Sequence, residues 1–461
     1  MLGNPTSMMR EAYSLLHEGT LALAEAEMNG IRIDVEYCEK MKRKLGKRIA
    51  LWEKQLLQTK LGKVWQKEYG KKLNFSSDTQ LADILFNKLN IKSKKLTKKN
   101  NQATDAEVLE GINVDGIEIL IKFKKANKNK NTYLEGLLRE QVDGILHTMF
   151  SLVMAITYRS SSQHPNFQNF PIRDLESMNL IRGAIYPLKG FRNLGVDYSG
   201  IEVATGCFYH RDPQMMKYVS DPKTSMHRDM ALQLFMLPAL DKKHKGTDKN
   251  PGEYNLYQGA KNGFVFPEFY GDYYVHCAEN LLKWGNSVIL KNGMPLKDHM
   301  RDKGIGTASK FTEHVEAVEK DFWENRFKVY NKWKEEWWEQ YIEKGYFDML
   351  TGFRCQGIMN RKQVCNSPIE GTAFHLLLWS FTEMNKQLKA KKMKTCMMGQ
   401  IHDEMLMHLW PEEKDEVFLM CRQIMTIDIR ERFPWINVPL DIEADLTEVD
   451  SAWSTKKGVK I

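Results

Sequence analysis

Two acidic segments, far apart in the chain, constrain its fold more than any other feature. The first, residues 197–202, reads Asp-Tyr-Ser-Gly-Ile-Glu and follows the apolar pair Gly195-Val196. The second, residues 402–404, reads His-Asp-Glu and lies between the apolar runs 396–401 and 405–409. Both patterns predict a short strand with an aspartate at its end or turn. Either the two strands lie side by side and bring the aspartates together, or they are unrelated acidic turns that bind no metal.

Aspartates brought together in this way form a site for two divalent cations. Mg²⁺ is usually held by one or two carboxylates together with substrate phosphates. A pair of metal ions roughly 3.5–4 Å apart stabilises the attacking and leaving oxygens of an in-line phosphoryl displacement. The two segments therefore indicate metal-dependent phosphoryl transfer.

Length and cysteine usage limit the class of protein. A chain of 461 residues is too long for one simple core, so we expect two to four domains. No apolar run is long enough to span a membrane, and residues 1–10 do not resemble a signal peptide. The seven cysteines are scattered and form no Cys-x-x-Cys pair, which favours a reducing compartment over a zinc ribbon or a disulfide framework. We expect a cytoplasmic protein that does not bind a membrane.

The positive charge is concentrated in two regions. The net charge is +8, and ten lysines lie between Lys92 and Lys130, including the run Lys92-Ser-Lys-Lys. A second basic loop follows at residues 241–249. Clustered lysines favour contact with phosphate backbones. The alternative is a solvated surface with no ligand.

The periodicity of the chain changes near residue 145. Before it, residues 11–28, 36–69 and 117–140 predict helices, and Thr104-x-x-Glu predicts a capping box rather than the start of an exonuclease motif. After it, apolar segments alternate with helical ones, which favours a mixed sheet with helices behind it, an α/β (α+β) fold. The strand-like segments are 145–157, 191–206, 396–409 and 438–443. We interpret the aromatic residues spaced along 330–341 as core and residues 285–308 as a loop or insertion.

With these motifs in order, the chain resembles a family A DNA polymerase, the group that includes bacterial DNA polymerase I and many phage replicases. The resemblance covers nearly the whole chain, and residues 261–267 are similar to phage members of the family. The motifs are residues 29–34, 74–77, 131–133, 159–169, 197–202, 261–271, 370–373 and 402–404.

The resemblance implies a right-hand polymerase architecture with an antiparallel palm sheet, helical fingers and a helical thumb. The implied boundaries are an N-terminal helix at the base of palm and thumb in 1–30, the thumb in 31–150, the first part of the palm in 151–222, the fingers in 223–350 and the second part of the palm in 351–461. The lysine-rich helices then become a thumb that holds duplex.

The resemblance also implies the catalytic and metal-binding residues. Asp197 and Asp403 match the two metal-binding aspartates of the family, and the main-chain carbonyl of Tyr198 would complete the oxygen ligands of a metal. The implied cofactor is two Mg²⁺ ions, with Mn²⁺ as a substitute. Lys261 matches the fingers lysine that neutralises the triphosphate.

The incoming dNTP would contact five residues, by the same resemblance. Glu202 matches the side chain that excludes a 2′-hydroxyl by steric clash. Together with Tyr198 and Glu404, it resembles the DNA-synthesising branch and not the related single-subunit RNA polymerases. Phe266 lies beside the sugar, Tyr270 stands at the templating base, and His227 and Lys261 complete the set.

Matches to DNA-contacting positions are more numerous. Arg159, Gln168 and Asn169 would lie along the minor groove near the primer terminus, His402 and Glu404 next to the catalytic site, and Gly271 at the template. Weaker matches are Arg182, Lys362 and Asn366, and the thumb phosphate contacts would be Lys128, Lys130, Asn131 and Thr132.

Four features depart from the pattern of the family. Tyr257 stands where an arginine is usual, so another basic residue, Arg228 or Lys249 among them, would have to replace it. The interval from Lys261 to Phe266 is one residue longer than usual, which a π-bulge could absorb. Pro267 lies within an expected helix, and Glu370 replaces the usual glutamine.

We therefore expect a template-directed DNA polymerase that extends a primer 3′-hydroxyl with dNTPs and releases pyrophosphate. The alternatives are a non-catalytic DNA-binding or accessory subunit of the same fold and a single-subunit RNA polymerase relative. We expect no proofreading by this chain, because residues 1–30 leave no room for an exonuclease domain before the thumb. A monomer is expected, and no replisome or processivity partner is indicated.

Overall fold

The computed structural model describes residues 5–92, 96, 102–172 and 174–461. Helices dominate the fold. They are α1 (Pro5–Asn29), α2 (Val35–Gln58), α3 (Lys60–Tyr69), α4 (Asp78–Ala82), α5 (Ala106–Glu110), α6 (Ile117–Lys128), α7 (Glu135–Glu140), α8 (Leu175–Arg182), α9 (Ile201–His210), α10 (Pro213–Ser220), α11 (Met226–Leu234), α12 (Glu253–Ala260), α13 (Phe266–Phe269), α14 (Tyr274–Gly285), α15 (Leu296–Asp302), α16 (Ala308–Asp321), α17 (Lys328–Lys344), α18 (Arg361–Ala390), α19 (Lys414–Arg422) and α20 (Ile429–Arg432).

Among the described residues, the strands are short and belong to four small sheets. They are β1 (Ile31–Ile33), β2 (Ile145–Leu146), β3 (Met149–Ser151), β4 (Ser161–Gln163), β5 (Ile185–Tyr186), β6 (Arg192–Tyr198), β7 (Tyr346–Asp348), β8 (Arg354–Gln356), β9 (Cys396–Ile401), β10 (Glu404–Leu409), β11 (Ile442–Leu446) and β12 (Lys457–Val459). Five segments have π-helical hydrogen bonding: Asp83–Lys88, Asn129–Leu134, Lys261–Val265, Phe322–Arg326 and Gln423–Asp428. Four 3₁₀ turns complete the list: Gly70–Lys72, Phe167–Asn169, Pro411–Glu413 and Trp453–Thr455.

The largest sheet has five strands in the order β12-β11-β6-β10-β9, and each of its pairings is antiparallel. The sheet is therefore not the mixed sheet that the apolar pattern favoured. Leu194, Val196 and Tyr198 of β6 point into the main core, where α18 packs. Because side chains alternate along a strand, Gly195 and Asp197 face the opposite side. This alternation separates the hydrophobic face of the palm from the face that carries the carboxylates.

The helices before residue 145 have a core of their own. Trp65, Leu81 and Phe123 are fully or almost fully buried in a cluster formed by α3, α4 and α6. The first strand, β1, joins this half to the rest by pairing with β2 and β5. The many helices and the antiparallel sheet agree with the expected α/β (α+β) fold class.

The helical region between α11 and α17 is held together by aromatic side chains. Tyr330 and Tyr341 are buried, and Trp333 and Trp337 pack against the same core. The interpretation of this row as core, rather than as a stacking surface for bases, agrees with its burial.

Several boundaries differ from the expectations. Thr59 interrupts the helix expected over 36–69 and caps α3 with its hydroxyl. The strand expected over 191–206 ends at Tyr198, because Gly200 adopts a left-handed conformation (φ +66°) and α9 follows. The supposed loop 285–308 contains α15. Asp105, not Thr104, caps α5.

Two further observations concern the predictions about membrane spans and about the lysine-rich run. Within the described ranges, no helix is both long and apolar enough to cross a membrane. Of the run Lys92-Ser-Lys-Lys, the last two lysines lie outside the described residues.

Candidate active site

The register of the palm strands brings carboxylates together. Asp197 pairs with Glu404 of β10 on one side and with Glu443 of β11 on the other. Directly opposite residues of antiparallel strands point to the same face, so these three side chains form a row across the sheet. Asp403 lies beside the row, in the turn between β9 and β10. The prediction that the two acidic segments are neighbouring strands is confirmed by this pairing.

Both aspartates have raised pKa values. Partial removal from water in the cleft, with repulsion from Asp403 and Glu404, raises the pKa of Asp197 to about 7. Removal from water also raises the pKa of Asp403 to about 6, although Arg159 opposes the shift. Carboxyl groups that repel each other in this way are stabilised by a cation.

The residues present fit a divalent cation. The Oδ1 atom of Asp403 is buried and has no hydrogen-bond partner, so one hard oxygen is free to bind a metal. The side chain of Tyr198 is buried and its hydroxyl contacts Ser380 Oγ at 2.9 Å, so only its main chain can serve the site. Among the residues that the structure describes, no three His, Cys, Asp or Glu side chains converge as a metal cluster. A metal here would therefore be held by few protein ligands and by substrate phosphates, as is usual for Mg²⁺.

Arg159 is the cation at the centre of the site. Its guanidinium lies 3.5 Å from Glu370 Oε2, 3.7 Å from Glu202 Oε1 and 3.9 Å from Asp403 Oδ1. Glu370, the residue that replaces the usual glutamine, thus adds a negative charge beside Arg159. Burial raises the pKa of Glu370, and Arg159 opposes that shift.

Tyr270 closes one side of the cleft by donating a hydrogen bond from its hydroxyl to Glu202. Beside this contact lies a small cavity of about 40 Å³, lined in part by Phe266, Asn366 and Glu370. The contact fixes the carboxylate of Glu202 beside the cleft. Of the residues matched to the dNTP, Glu202, Phe266 and Tyr270 are therefore adjacent in space.

The segment with the extra residue forms a π-helical turn, Lys261–Val265, between α12 and α13. The expected π-bulge is confirmed. Pro267 follows it directly, within a helix that continues from the π-helical turn into α13, since Val265 and Phe266 keep right-handed helical dihedral angles. Lys261 Nζ lies 5.4 Å from the centroid of Phe266, and the ring of His227 lies 5.7 Å from that of Phe266.

Gln168 is buried and does not reach the cleft surface. Its amide donates to Ser160 Oγ at 2.6 Å and to Gln400 Oε1 at 2.7 Å. The amide of Gln400 donates in turn to the carbonyl of His402, whose side chain is exposed. In this structure, Gln168 braces the turn that carries Asp403, and the sequence pattern gave no indication of this network.

The other residues matched to DNA contacts differ in exposure. Arg182 is buried and stacks over Trp453, 4.1 Å from the ring centroid. Lys362 packs against Gly271, where an added Cβ would lie 3.2 Å from Lys362 Cγ. Asn169 is exposed.

The thumb residues matched to phosphate contacts lie around the π-helical segment Asn129–Leu134. Lys128, Asn131 and Thr132 are exposed, whereas Lys130 contacts Asn131 Oδ1 at 2.9 Å and Glu135 at 3.5 Å. Part of the lysine-rich charge is thus neutralised within the protein, and Lys125, paired with Asp174 and Glu176 at 2.8 Å each, is a further example.

One ion pair at the site was missed by sequence reasoning. Lys456, just before β12, places Nζ 2.9 Å from Glu404 Oε1 and 2.9 Å from Asp445 Oδ2. The carboxylate of Glu404 lies over Gly195, where an added Cβ would be 1.9 Å from Oε1. Nothing in the sequence around Lys456 identifies this contact, because it depends on the added strand β12.

Comparison with known sequences gives one family. The profile of DNA polymerase family A matches residues 35–249 and 305–453. DNA polymerase I of Bacillus subtilis is 25% identical over 431 residues, which cover 92% of this chain and 44% of that protein. The thermostable DNA polymerase I of Thermus thermophilus is 25% identical over 452 residues, covering 95% of this chain and 47% of that protein. The chain therefore spans less than half the length of the curated relatives that it matches.

Comparison with solved structures gives the same fold. The POL domain of Pol1 from M. smegmatis, in complex with DNA primer-template and dNTP, matches with a TM-score of 0.73 and 23% identity. The match covers 95% of this chain and 70% of that one. At this level of identity, the likeness is one of fold.

Proposed function

Because the chain belongs to DNA polymerase family A, we propose that it is a template-directed DNA polymerase. In this reaction a primer 3′-hydroxyl attacks the α-phosphate of a dNTP, and pyrophosphate leaves. The observation that carries the proposal is the pairing of Asp197 with Glu404, which brings the neighbouring Asp403 close enough for its charge to raise the pKa of Asp197. The buried Oδ1 of Asp403 accepts no hydrogen bond. Carboxylates held in this way suit phosphoryl transfer and give no benefit to a protein that only binds phosphates.

The implied cofactor is two Mg²⁺ ions, for which Mn²⁺ would substitute. Asp197, Asp403 and the main-chain carbonyl of Tyr198 would hold them. When bound, the ions lower the pKa of the attacking hydroxyl and stabilise the leaving pyrophosphate.

The remaining residues of the site bind and select the nucleotide. Lys261 and His227 lie on the fingers side, where they would receive the phosphates. Glu202, fixed by the hydroxyl of Tyr270, would occupy the space beside the sugar and exclude a 2′-hydroxyl. The ring of Phe266 would pack against the sugar, and that of Tyr270 against the templating base.

The DNA duplex would lie between the palm and the helices before residue 145. We keep 31–150 as thumb, 223–350 as fingers, and 151–222 with 351–461 as palm. Arg159, Asn169 and His402 line the proposed path near the primer terminus, and Lys128, Asn131 and Thr132 are exposed for phosphate contact. A cytoplasmic location belongs to the proposal and is supported by the seven free cysteines.

Primer extension tests the function. A matched primer–template, dNTPs and Mg²⁺ should give extended product with the wild-type chain, and none with Asp197→Ala or Asp403→Ala. Both variants should still bind duplex. Replacing dNTPs by rNTPs should give little product, because Glu202 blocks the 2′ position.

Other outcomes would support the alternatives. Duplex binding without extension by the wild-type chain would indicate an accessory DNA-binding subunit. Efficient use of rNTPs would indicate an RNA polymerase relative. A primer with a 3′ mismatch, incubated without dNTPs, tests the expectation that this chain does not proofread.

A further inference from the structure

A row of three rings with a lysine at each end lies on the fingers side of the cleft. The ring of His227 is 5.8 Å from that of Tyr257 and 5.7 Å from that of Phe266. Lys261 Nζ lies 5.4 Å from the centroid of Phe266, and Lys242 Nζ lies 4.3 Å from the centroid of Tyr257. Two ammonium groups therefore flank His227 from opposite ends of the row.

Lys242 is held in this position although it is on an exposed loop. Its Nζ donates to Ser225 Oγ at 3.2 Å, and Ser225 caps α11, the helix that carries His227. The neighbouring Asp241 fixes the loop, since its carboxylate accepts from Lys243 N at 2.9 Å and pairs with Lys291 at 2.7 Å. The ammonium of Lys242 thus points toward the ring row.

Neither lysine of the row is neutralised. Within the described part of the chain, no carboxylate lies within 4.0 Å of Lys242 or Lys261. Arg228 on the same helix is different, because it pairs with Asp229 at 3.1 Å. Two cations gathered without an acidic partner raise the local positive potential and favour an anionic ligand.

His227 provides a further observation that points to a ligand. Its Nδ1 is buried and has no hydrogen-bond partner. Burial, followed by the charges of Lys261 and Lys242, lowers the pKa of His227 to about 4. The ring is therefore neutral near pH 7, and it can offer a hydrogen bond between two ammonium groups.

We propose that Lys242 is a second cation for the phosphate tail of the incoming nucleotide, and that it acts with Lys261 from the opposite end of the ring row. The inference rests on the proposed function and deepens it. Tyr257 stands where the family resemblance implies an arginine. Lys242, from the loop before α12, places its ammonium group against the ring of Tyr257. Arg228 is a poorer replacement because Asp229 neutralises it. The ligand class is a polyphosphate, either the dNTP or the pyrophosphate that is released.

The test compares Lys242→Met with Lys243→Met, the adjacent exposed lysine. Steady-state extension gives KM for dNTP and kcat, inhibition by pyrophosphate gives its inhibition constant, and fluorescence anisotropy gives Kd for primer–template. Loss of one charge-assisted contact should raise KM and the inhibition constant about tenfold in Lys242→Met. Kd for DNA should stay unchanged, and Lys243→Met should behave as wild type.

Two further variants separate charge from local structure. Lys242→Arg retains the cation and should keep KM close to the wild-type value. Tyr257→Arg in the Lys242→Met background places a cation at the same end of the row from α12. It should recover most of the lost affinity for dNTP.

The proposal is overturned if Lys242→Met and Lys243→Met have the same KM, or if Lys242→Met weakens DNA binding and leaves KM unchanged. Calorimetric titration of the DNA-free protein with inorganic tripolyphosphate keeps this test separate from the proposed function. A chain that does not extend primers refutes the polymerase proposal. Weaker tripolyphosphate binding by Lys242→Met would still support the anion site, and equal binding would refute it.

Discussion

The two sides of the cleft are built differently. On the palm side, Asp197 and Glu404 are set by the backbone pairing of β6 with β10. On the fingers side, the cations belong to a π-helical turn and a surface loop. The family profile matches both palm strands and the loop of Lys242, but it leaves residues 250–304, which include Lys261, unmatched.

This difference predicts which charged residues of the site can be replaced by a residue from another segment. A strand pair leaves one register in which Asp197 faces Glu404, next to Asp403, since a slip by one residue would turn each side chain to the other face. A cation that only has to reach a phosphate can come from any nearby segment. The palm aspartates should therefore tolerate no replacement. On the fingers side, a cation from another segment should be able to compensate for a lost one.

The largest effect is expected on the palm side. Asp403→Asn keeps the shape of the side chain but removes the negative charge, so kcat should fall about a thousandfold. DNA affinity should not fall, since the loss of a carboxylate near Arg159 does not weaken a contact with phosphate. Asp415→Asn, at an exposed position of α19, is the matched control. If a carboxylate introduced elsewhere restored the activity of Asp403→Asn, the palm would tolerate compensation as the fingers do, and the proposed difference between the two sides would be wrong.

The fingers contain a buried acid whose effect depends on pH. Glu268 is 2% exposed and accepts hydrogen bonds from Trp323 Nε1 at 2.9 Å and Cys277 Sγ at 3.4 Å. Burial and the charge of Glu319 raise the pKa of Glu268 to about 8. The folded state then binds more protons than the unfolded state above pH 4.5, so stability falls as pH rises toward 8.

Glu268→Gln should remove this dependence. We expect the unfolding free energy of the wild type, relative to the variant, to fall by about 2–3 kcal/mol between pH 5 and pH 8. Urea unfolding at several pH values measures it, with exposed Glu324→Gln as control. The pH range of the experiment stops at pH 8 because burial lowers the pKa of Lys334 to about 8. Above that pH, Lys334 makes the unfolding free energy rise with pH, which is opposite to the effect of Glu268. Parallel curves for both proteins would contradict the prediction.

The palm ion pair of Lys456 with Glu404 should have a smaller effect. Their side chains are 20% and 15% exposed, so removing the ammonium leaves a poorly solvated carboxylate. Lys456→Met should lower the unfolding free energy by about 1–2 kcal/mol. Lys457→Met, at an exposed position of β12, should leave it unchanged. If both variants lose the same amount, the strand and not the ion pair stabilises the palm.

The smallest effect is expected where the two sides meet. Glu370→Gln removes one of the three carboxylates around Arg159 and leaves the guanidinium freer to contact DNA. Affinity for primer–template should rise about threefold at constant salt. Glu448→Gln, which removes the partner of Arg192 on the outer surface, is the control. A fall in affinity would mean that Glu370 orients Arg159 instead of restraining it.

Much of the site could be predicted from the sequence because its positions follow local rules. The apolar runs around Asp197 and Asp403 predicted both strands. The π-helical turn was predicted from the family resemblance, in which the interval from Lys261 to Phe266 is one residue shorter. Such features depend on side-chain alternation and on hydrogen bonds between nearby residues.

Other features were decided by tertiary structure. Arg182 and Gln168 have the residue types of DNA contacts, yet packing buries one over Trp453 and binds the other to Gln400. The contacts of Lys456 with Glu404 and of Lys242 with Tyr257 join segments whose separation along the chain carries no pattern. Sequence determined which strands carry the carboxylates, because a strand has a fixed period of two. Only the folded chain determined which cations reach them, because a long flexible side chain can be delivered from any segment that packs nearby.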